Sequence, residues 1–182
     1  MKPEEIAEAA HRLEKEELGI WGGRQDQYAS ALGGFLFLEF SQEVKWQRLE
    51  LKEEFTEELG KRLVLCYTGR SRLSGAIVEE VMRRYKRDKS VEKLLDEMKE
   101  IAYAMKEAFI KEDIEGIGRL MKENWEREKM LAEGISNIQI EEIFQLVEKE
   151  EAIGGKAMGA GGGGCLLFLA KKNGEGKLRE KL

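Results

Sequence analysis

Residues 21–28 read Trp-Gly-Gly-Arg-Gln-Asp-Gln-Tyr, within a segment with glycines at both ends, Gly19 and Gly34. Such a stretch sets one carboxylate (Asp26) among two amides (Gln25 and Gln27), a guanidinium and two aromatic rings, the composition of a pocket wall. A carboxylate held there can orient a hydroxyl and take its proton, which is the task of the base in phosphoryl transfer. The same acid can instead cap a short helix over residues 27–32 and need no ligand. A second block, Gly159-Ala160-Gly161-Gly162-Gly163-Gly164, offers backbone N–H groups with no side chain to keep a ligand away. It either cradles a phosphate or makes a tight turn against another backbone. It is no Walker loop, because no Gly-Lys-Ser follows, and no dinucleotide fingerprint, because it runs into an apolar strand, not a helix. The third block is Tyr67-Thr68-Gly69-Arg70-Ser71-Arg72-Leu73-Ser74. It ends a strand and opens a helix, with two guanidiniums and three hydroxyls in the turn. These suit a sugar or an anion, or else a solvated, capped turn.

Other chemistries fall away on composition. A single histidine, His11, removes every three-His zinc site and any mechanism needing two imidazoles, and we assign no residue as a metal ligand. The 31 basic and 36 acidic residues leave a net charge of -5 with both signs interspersed, so no global field draws the chain to nucleic acid or an anionic membrane. Cys66 and Cys165 each sit in an apolar run, where a thiol packs as a small hydrophobe. They read as reduced and the compartment as cytoplasmic. The longest apolar run ends after about six residues, well short of the roughly 20 needed to span a bilayer, and the charged N-terminus is no signal peptide.

The elements that must hold these blocks follow from periodicity. Pro3, acids at Glu4 and Glu5, and apolar positions at Ile6, Ala9, Ala10 and Leu13 predict a helix over residues 3–18. Residues 19–34 read as a loop with room for one helical turn, and residues 35–40 and 44–51 as a strand hairpin. Residues 53–61 are polar, contain Gly60 and precede the apolar run 63–67, which places a domain boundary near residue 58. Beyond it come a strand at 63–67, a helix at 76–87, a long helix capped by Ser90, and further helices after Asp113 and Asn137. A buried strand follows the glycine block, and residues 171–182 read as a frayed polar tail. The fold class is α+β: residues 1–58 lack a core of their own, and residues 59–182 form a helix-rich domain with a small antiparallel sheet. The hairpin is expected to expose an apolar edge and to associate with a second copy or another polypeptide.

Taken in order, Gly22-Gly23-Arg24-Gln25-Asp26-Gln27-Tyr28, Gly33-Gly34-Phe35, Tyr67-Thr68-Gly69 with Arg72 and Ser74, Gly154-Gly155-Lys156 and Gly159 to Gly164 resemble the GHMP-type small-molecule kinases nearly end to end. Within that superfamily the chain looks most like the kinases of D-glycero-D-manno-heptose 7-phosphate. The resemblance implies ATP and magnesium as cofactors and a sugar phosphate as substrate. It makes Asp26 the counterpart of the catalytic aspartate and places Gly22, Gly23, Gln25, Tyr28, Thr68, Arg72 and Ser74 on the substrate side. Gly159, Ala160, Gly161, Gly162, Gly163 and Gly164 become a support for the phosphate-binding loop, on the bank opposite Asp26.

The chain also departs from that pattern. The family's N-terminal strand and its Pro-, Gly- and Ser-rich loop around the ATP phosphates have no match here, and the C-terminal end is short. The expectation is a truncated or split kinase, inactive alone, whose companion chain supplies the ATP loop. The alternatives are a noncatalytic fragment and a module that binds sugar phosphate or nucleotide.

Overall fold

The computed structural model describes residues 1–19, 22–70, 75–148 and 151–182. It divides into two compact units, Met1–Leu51 and Lys52–Leu182. The division falls seven residues before the expected break, and residue 58 lies inside a helix.

In the first unit, α1 (Pro3–Arg12) continues through a π-helical turn, Leu13–Glu17. Pro3 opens it and Glu4 and Glu5 favour the positive end of the helix dipole. After residues 20–21, α2 spans Gln25–Leu32. The segment expected to hold one helical turn thus holds about two, packed against α1. Gly33 and Gly34, both at positive φ, turn the chain into β1 (Leu36–Phe40). β1 pairs antiparallel with β2 (Val44–Arg48), so the hairpin forms as expected. Phe40 and Trp46 are exposed on its strands, as is Phe35 just before them. The unit's buried apolar side chains, among the described residues, are Ala7, Tyr28 and Leu49, which fits a segment without a substantial core.

The second unit opens with α3 (Glu53–Arg62). We expected only a polar boundary here, but Phe55, Leu59 and Arg62 fall on one buried stripe at helical spacing, and Gly60 lies on the exposed side. β3 (Leu63–Tyr67) follows at once. Then come α4 (Gly75–Tyr85), α5 (Lys89–Ile110), α6 (Ile114–Leu131) and α7 (Ile138–Glu148). The cap of α5 is Asp88, not Ser90: its carboxylate accepts from both the Ser90 amide, at 2.9 Å, and the Ser90 hydroxyl, at 2.6 Å. Asp113 caps α6 through the Gly116 amide and Asn137 accepts from the Ile140 amide.

β4 (Ala152–Ala157) and β5 (Cys165–Ala170) complete an antiparallel sheet in the order β3-β5-β4. No strand was expected at β4, because adjacent glycines weaken strand propensity. The structure shows their use. A Cβ on Gly154 would lie 1.9 Å from the Gly118 carbonyl oxygen, and one on Gly118 would lie 2.5 Å from Ile153 Cγ2. Helix α6 therefore rests directly on the β4 backbone. Over one part of the sheet Trp125 stacks on Phe144, with centroids 5.4 Å apart, and Phe144 meets Phe168 edge-on at 5.0 Å.

The expected frayed tail is also corrected. Residues Glu175–Lys181 form α8, and Leu178 is fully buried in the core beside β3 and α7. One apolar side chain in a polar dozen is enough to dock a short helix. Leu178→Ala should accordingly destabilise the chain by about 2–5 kcal/mol, read as a lower urea midpoint; a truly frayed tail would show no change.

Candidate functional site

Asp26 is the second residue of α2, whose N-cap is Arg24 with no side-chain cap hydrogen bond. The capping role open to Asp26 is therefore not the one it plays. Its carboxylate is exposed and, among the described residues, accepts no hydrogen bond and joins no ion pair. It lines an open groove of about 330 Å³ between α1 and α2, with Ile6, Ala7 and Ala10 as an apolar wall and Glu14, Gln27 and Ser30 as polar neighbours.

The neighbouring residues hold α2 in place. Tyr28 is buried, and its hydroxyl donates to Glu8 Oε1 at 2.6 Å. Arg24 donates to the same oxygen at 3.1 Å and stacks over the Phe40 ring at 5.8 Å. Phe40 also meets Tyr28 edge-on. Gln27 donates to Glu14 at 2.5 Å. Tyr28, expected on the substrate side, is thus turned inward as a tie between helices. Gly22, Gly23 and Gln25 are exposed; a Cβ at Gly23 would press on the end of the Gln25 side chain.

In the second unit, three loops meet at one end of the sheet. Gly161 to Gly164 all have positive φ. The Gly162 amide donates to the Ile135 carbonyl at 2.6 Å, and the Gly164 amide to the Arg70 carbonyl at 2.7 Å. A Cβ on Gly161 would lie 2.4 Å from the Ile135 oxygen, and one on Gly163 3.0 Å from the Arg70 oxygen. Of the two roles open to this block, the tight turn against another backbone is the one seen, and two of its amides are already committed. Thr68 is buried; its amide and its hydroxyl both donate to the Gly164 carbonyl, at 2.9 and 3.0 Å. It fastens the loop and does not face solvent. Gly159 is exposed, and Ala160 packs against the core. Arg72 and Ser74 lie outside the described residues.

Sequence reasoning missed Gln139, whose side-chain amide donates to the Thr68 carbonyl at 2.8 Å, and the partners of Lys156, whose ammonium reaches Glu128 at 2.8 Å and Asn124 at 2.9 Å. A polar residue near a helix start, or a lysine within a strand, carries no signal of either role. Cys66 and Cys165 are free thiols on paired strands, one residue out of register. Burial pushes the Cys66 thiol up. Among the described residues no helix is long and apolar enough to cross a membrane.

Residues 105–182 match the family model described as GHMP kinases C terminal. The chain carries a GHMP kinase C-terminal domain. It is 37% identical over 167 residues to the D-glycero-alpha-D-manno-heptose 7-phosphate kinase of Campylobacter jejuni, covering 91% of this chain and 49% of that protein. It is 32% identical to the mevalonate kinase of Pyrococcus abyssi, over 99% of this chain and 50% of that one. Its fold is GHMP-kinase-like: the crystal structure of a D-glycero-D-manno-heptose 1-phosphate kinase from Bacteroides thetaiotaomicron superposes with a TM-score of 0.74 at 25% identity, covering all of this chain and 49% of that one. The GHMP-like chain thus spans about half the length of these relatives.

The Glu8–Tyr28 contact makes its stability depend on pH at both ends. The Tyr28 hydroxyl, followed by Arg24, holds the Glu8 carboxyl below its ordinary value of 4.5, so this contribution is present above that value and lost as pH falls through the lowered one. Burial, then the Glu8 carboxylate, pushes Tyr28 up to about 12, so its contribution is full below 10 and lost as pH rises through about 12. Tyr28→Phe should cost about 1 kcal/mol at pH 7, a low figure because Glu8 is partly exposed. The difference in melting temperature between wild type and variant should shrink at both pH extremes; a constant difference would refute the linkage.

Proposed function

We propose that the chain serves an ATP-dependent phosphoryl transfer to a hydroxyl of a sugar or sugar phosphate of the heptose type, with Asp26 accepting the hydroxyl proton. The observation that carries this is the Asp26 carboxylate, exposed in the groove between α1 and α2 and unused by the fold. Its setting in a Gly-Gly-Arg-Gln-Asp-Gln-Tyr segment and the 37% identity to a heptose 7-phosphate kinase support the reaction class. As the hydroxyl oxygen bonds to the terminal phosphorus of ATP and the bond to the bridging oxygen breaks, the proton passes to Asp26 and ADP leaves.

The fixed shape of the glycine loop favours a supporting role over direct capture of phosphate, since its Gly162 and Gly164 amides are bound within the protein. No three His, Cys, Asp or Glu side chains gather into a metal group among the described residues, which supports placing the ligands of magnesium mostly outside this chain. The chain spans 49% of the Campylobacter relative, and we assign nucleotide binding to groups that correspond to the rest of that relative, on this polypeptide or on another. The exposed Phe35, Phe40 and Trp46 around the hairpin support a covering partner there.

An ADP-release assay with ATP and D-glycero-D-manno-heptose 7-phosphate tests the proposal, run on the chain alone and mixed with a polypeptide that matches the remaining half of the Campylobacter relative. Turnover is expected in the mixture, and Asp26→Asn should lower it by about 10²–10⁴. Turnover that Asp26→Asn leaves intact, or its absence from every mixture, would overturn the reading. Saturable binding of the sugar phosphate without turnover would leave a binding module. Sedimentation of the same mixtures should show association that Trp46→Lys weakens.

A further inference from the structure

The three loops at the end of the β3-β5-β4 sheet are fastened in series. Gln139 donates to the Thr68 carbonyl at 2.8 Å. Thr68 in turn donates twice to the Gly164 carbonyl, and the Gly164 amide donates back to Arg70 at 2.7 Å. The opposite side of the glycine loop is pinned by the Gly162 amide on Ile135 and by the Asn137 side-chain amide on the Gly162 carbonyl at 3.2 Å. Asn137 and Gln139 straddle the start of α7, so one rigid helix end reaches both the glycine loop and the turn after β3.

We infer that Gln139 is a positioning residue whose single hydrogen bond fastens the turn at residues 68–70, and through Thr68 the Gly164 end of the glycine loop, to the start of α7. Gln139 has no bond to the glycine loop itself among the described residues. It acts through Thr68, which is buried, so loss of the Gln139 donor leaves the Thr68 carbonyl without its side-chain partner. Four successive residues at positive φ have little conformational preference of their own. The loop's shape is therefore set by these external bonds. The inference deepens the proposed function, since such a loop supports a phosphate side only while it is held, but the bonding itself does not depend on that role.

Native-state amide hydrogen exchange on the full chain tests it without nucleotide or substrate. Gln139→Met keeps size, removes the donor and adds no charge; Gln139→Lys restores a donor at similar reach. Exchange at the Gly164 amide should rise by about tenfold in Gln139→Met, with the Gly162 amide, held separately on Ile135, and the amides of α5 and α6 changed far less, and should return toward wild type in Gln139→Lys. Exchange that does not rise at Gly164, or that rises equally at Gly162 or along the whole chain, would overturn the inference, as would Gln139→Lys behaving like Gln139→Met. Because this readout needs no catalysis, it can succeed where the ADP-release assay fails, and the reverse.

Discussion

Residues 161–164 thread between the carbonyls of Ile135 and Arg70 on a path that a Cβ at Gly161 would close. Backbone amides satisfy those carbonyls, and the positive φ angles put them within reach. Only glycine meets both demands at once. The consequence spreads outward: the turn after β3 is tied to the loop before β5, and both are tied to the start of α7. One end of the sheet is thereby closed by hydrogen bonds, with little apolar packing of the loop tips.

The same device of backbone lying on backbone recurs where α6 crosses β4. Gly118 and Gly154 bring the helix close enough for Ile153 and Leu169 to fill the space around them. The gain is contact between main chains and their flanking side chains; the cost is the extra conformational freedom that glycine loses on folding. Below this contact the Trp125–Phe144–Phe168 stack and the buried Leu166, Ile140 and Val147 form the continuous apolar mass of the second unit. Arg62 closes one side of it. Its guanidinium, almost wholly buried, donates to the Ala170 carbonyl and to Glu115, so neither its charge nor the end of β5 is left unpaired.

The first unit is built on a different balance. With few buried apolar side chains, it relies on a polar knot in which Glu8 receives both Tyr28 and Arg24 while Phe40 packs against the latter two. That knot fixes the angle of α2 on α1, and so the groove into which Asp26 projects. Asp26 is an acid in that groove that the fold does not use, and it is the feature on which the chemical reading of this chain rests.

The residue order alone determined the long helices, the hairpin, the buried β5 and the blocks around Asp26 and Gly159 to Gly164, because apolar periodicity and glycine clustering are local properties. Sequence also carried the family resemblance. It did not determine β4, the docking of α8 or the cap of α5. The first two depended on a distant neighbour, Gly118 for Gly154 and the core around Leu178; the cap of α5 depended on which of two nearby polar residues, Asp88 or Ser90, takes the position before the first helical residue. For the site the division is sharper. That Asp26 is no cap, that Tyr28 and Thr68 are turned inward, and that Gln139 belongs to the glycine loop's support are matters of which partner lies within hydrogen-bond reach, and reach between residues as far apart in the chain as Gln139 and Thr68 is set only when the chain is folded.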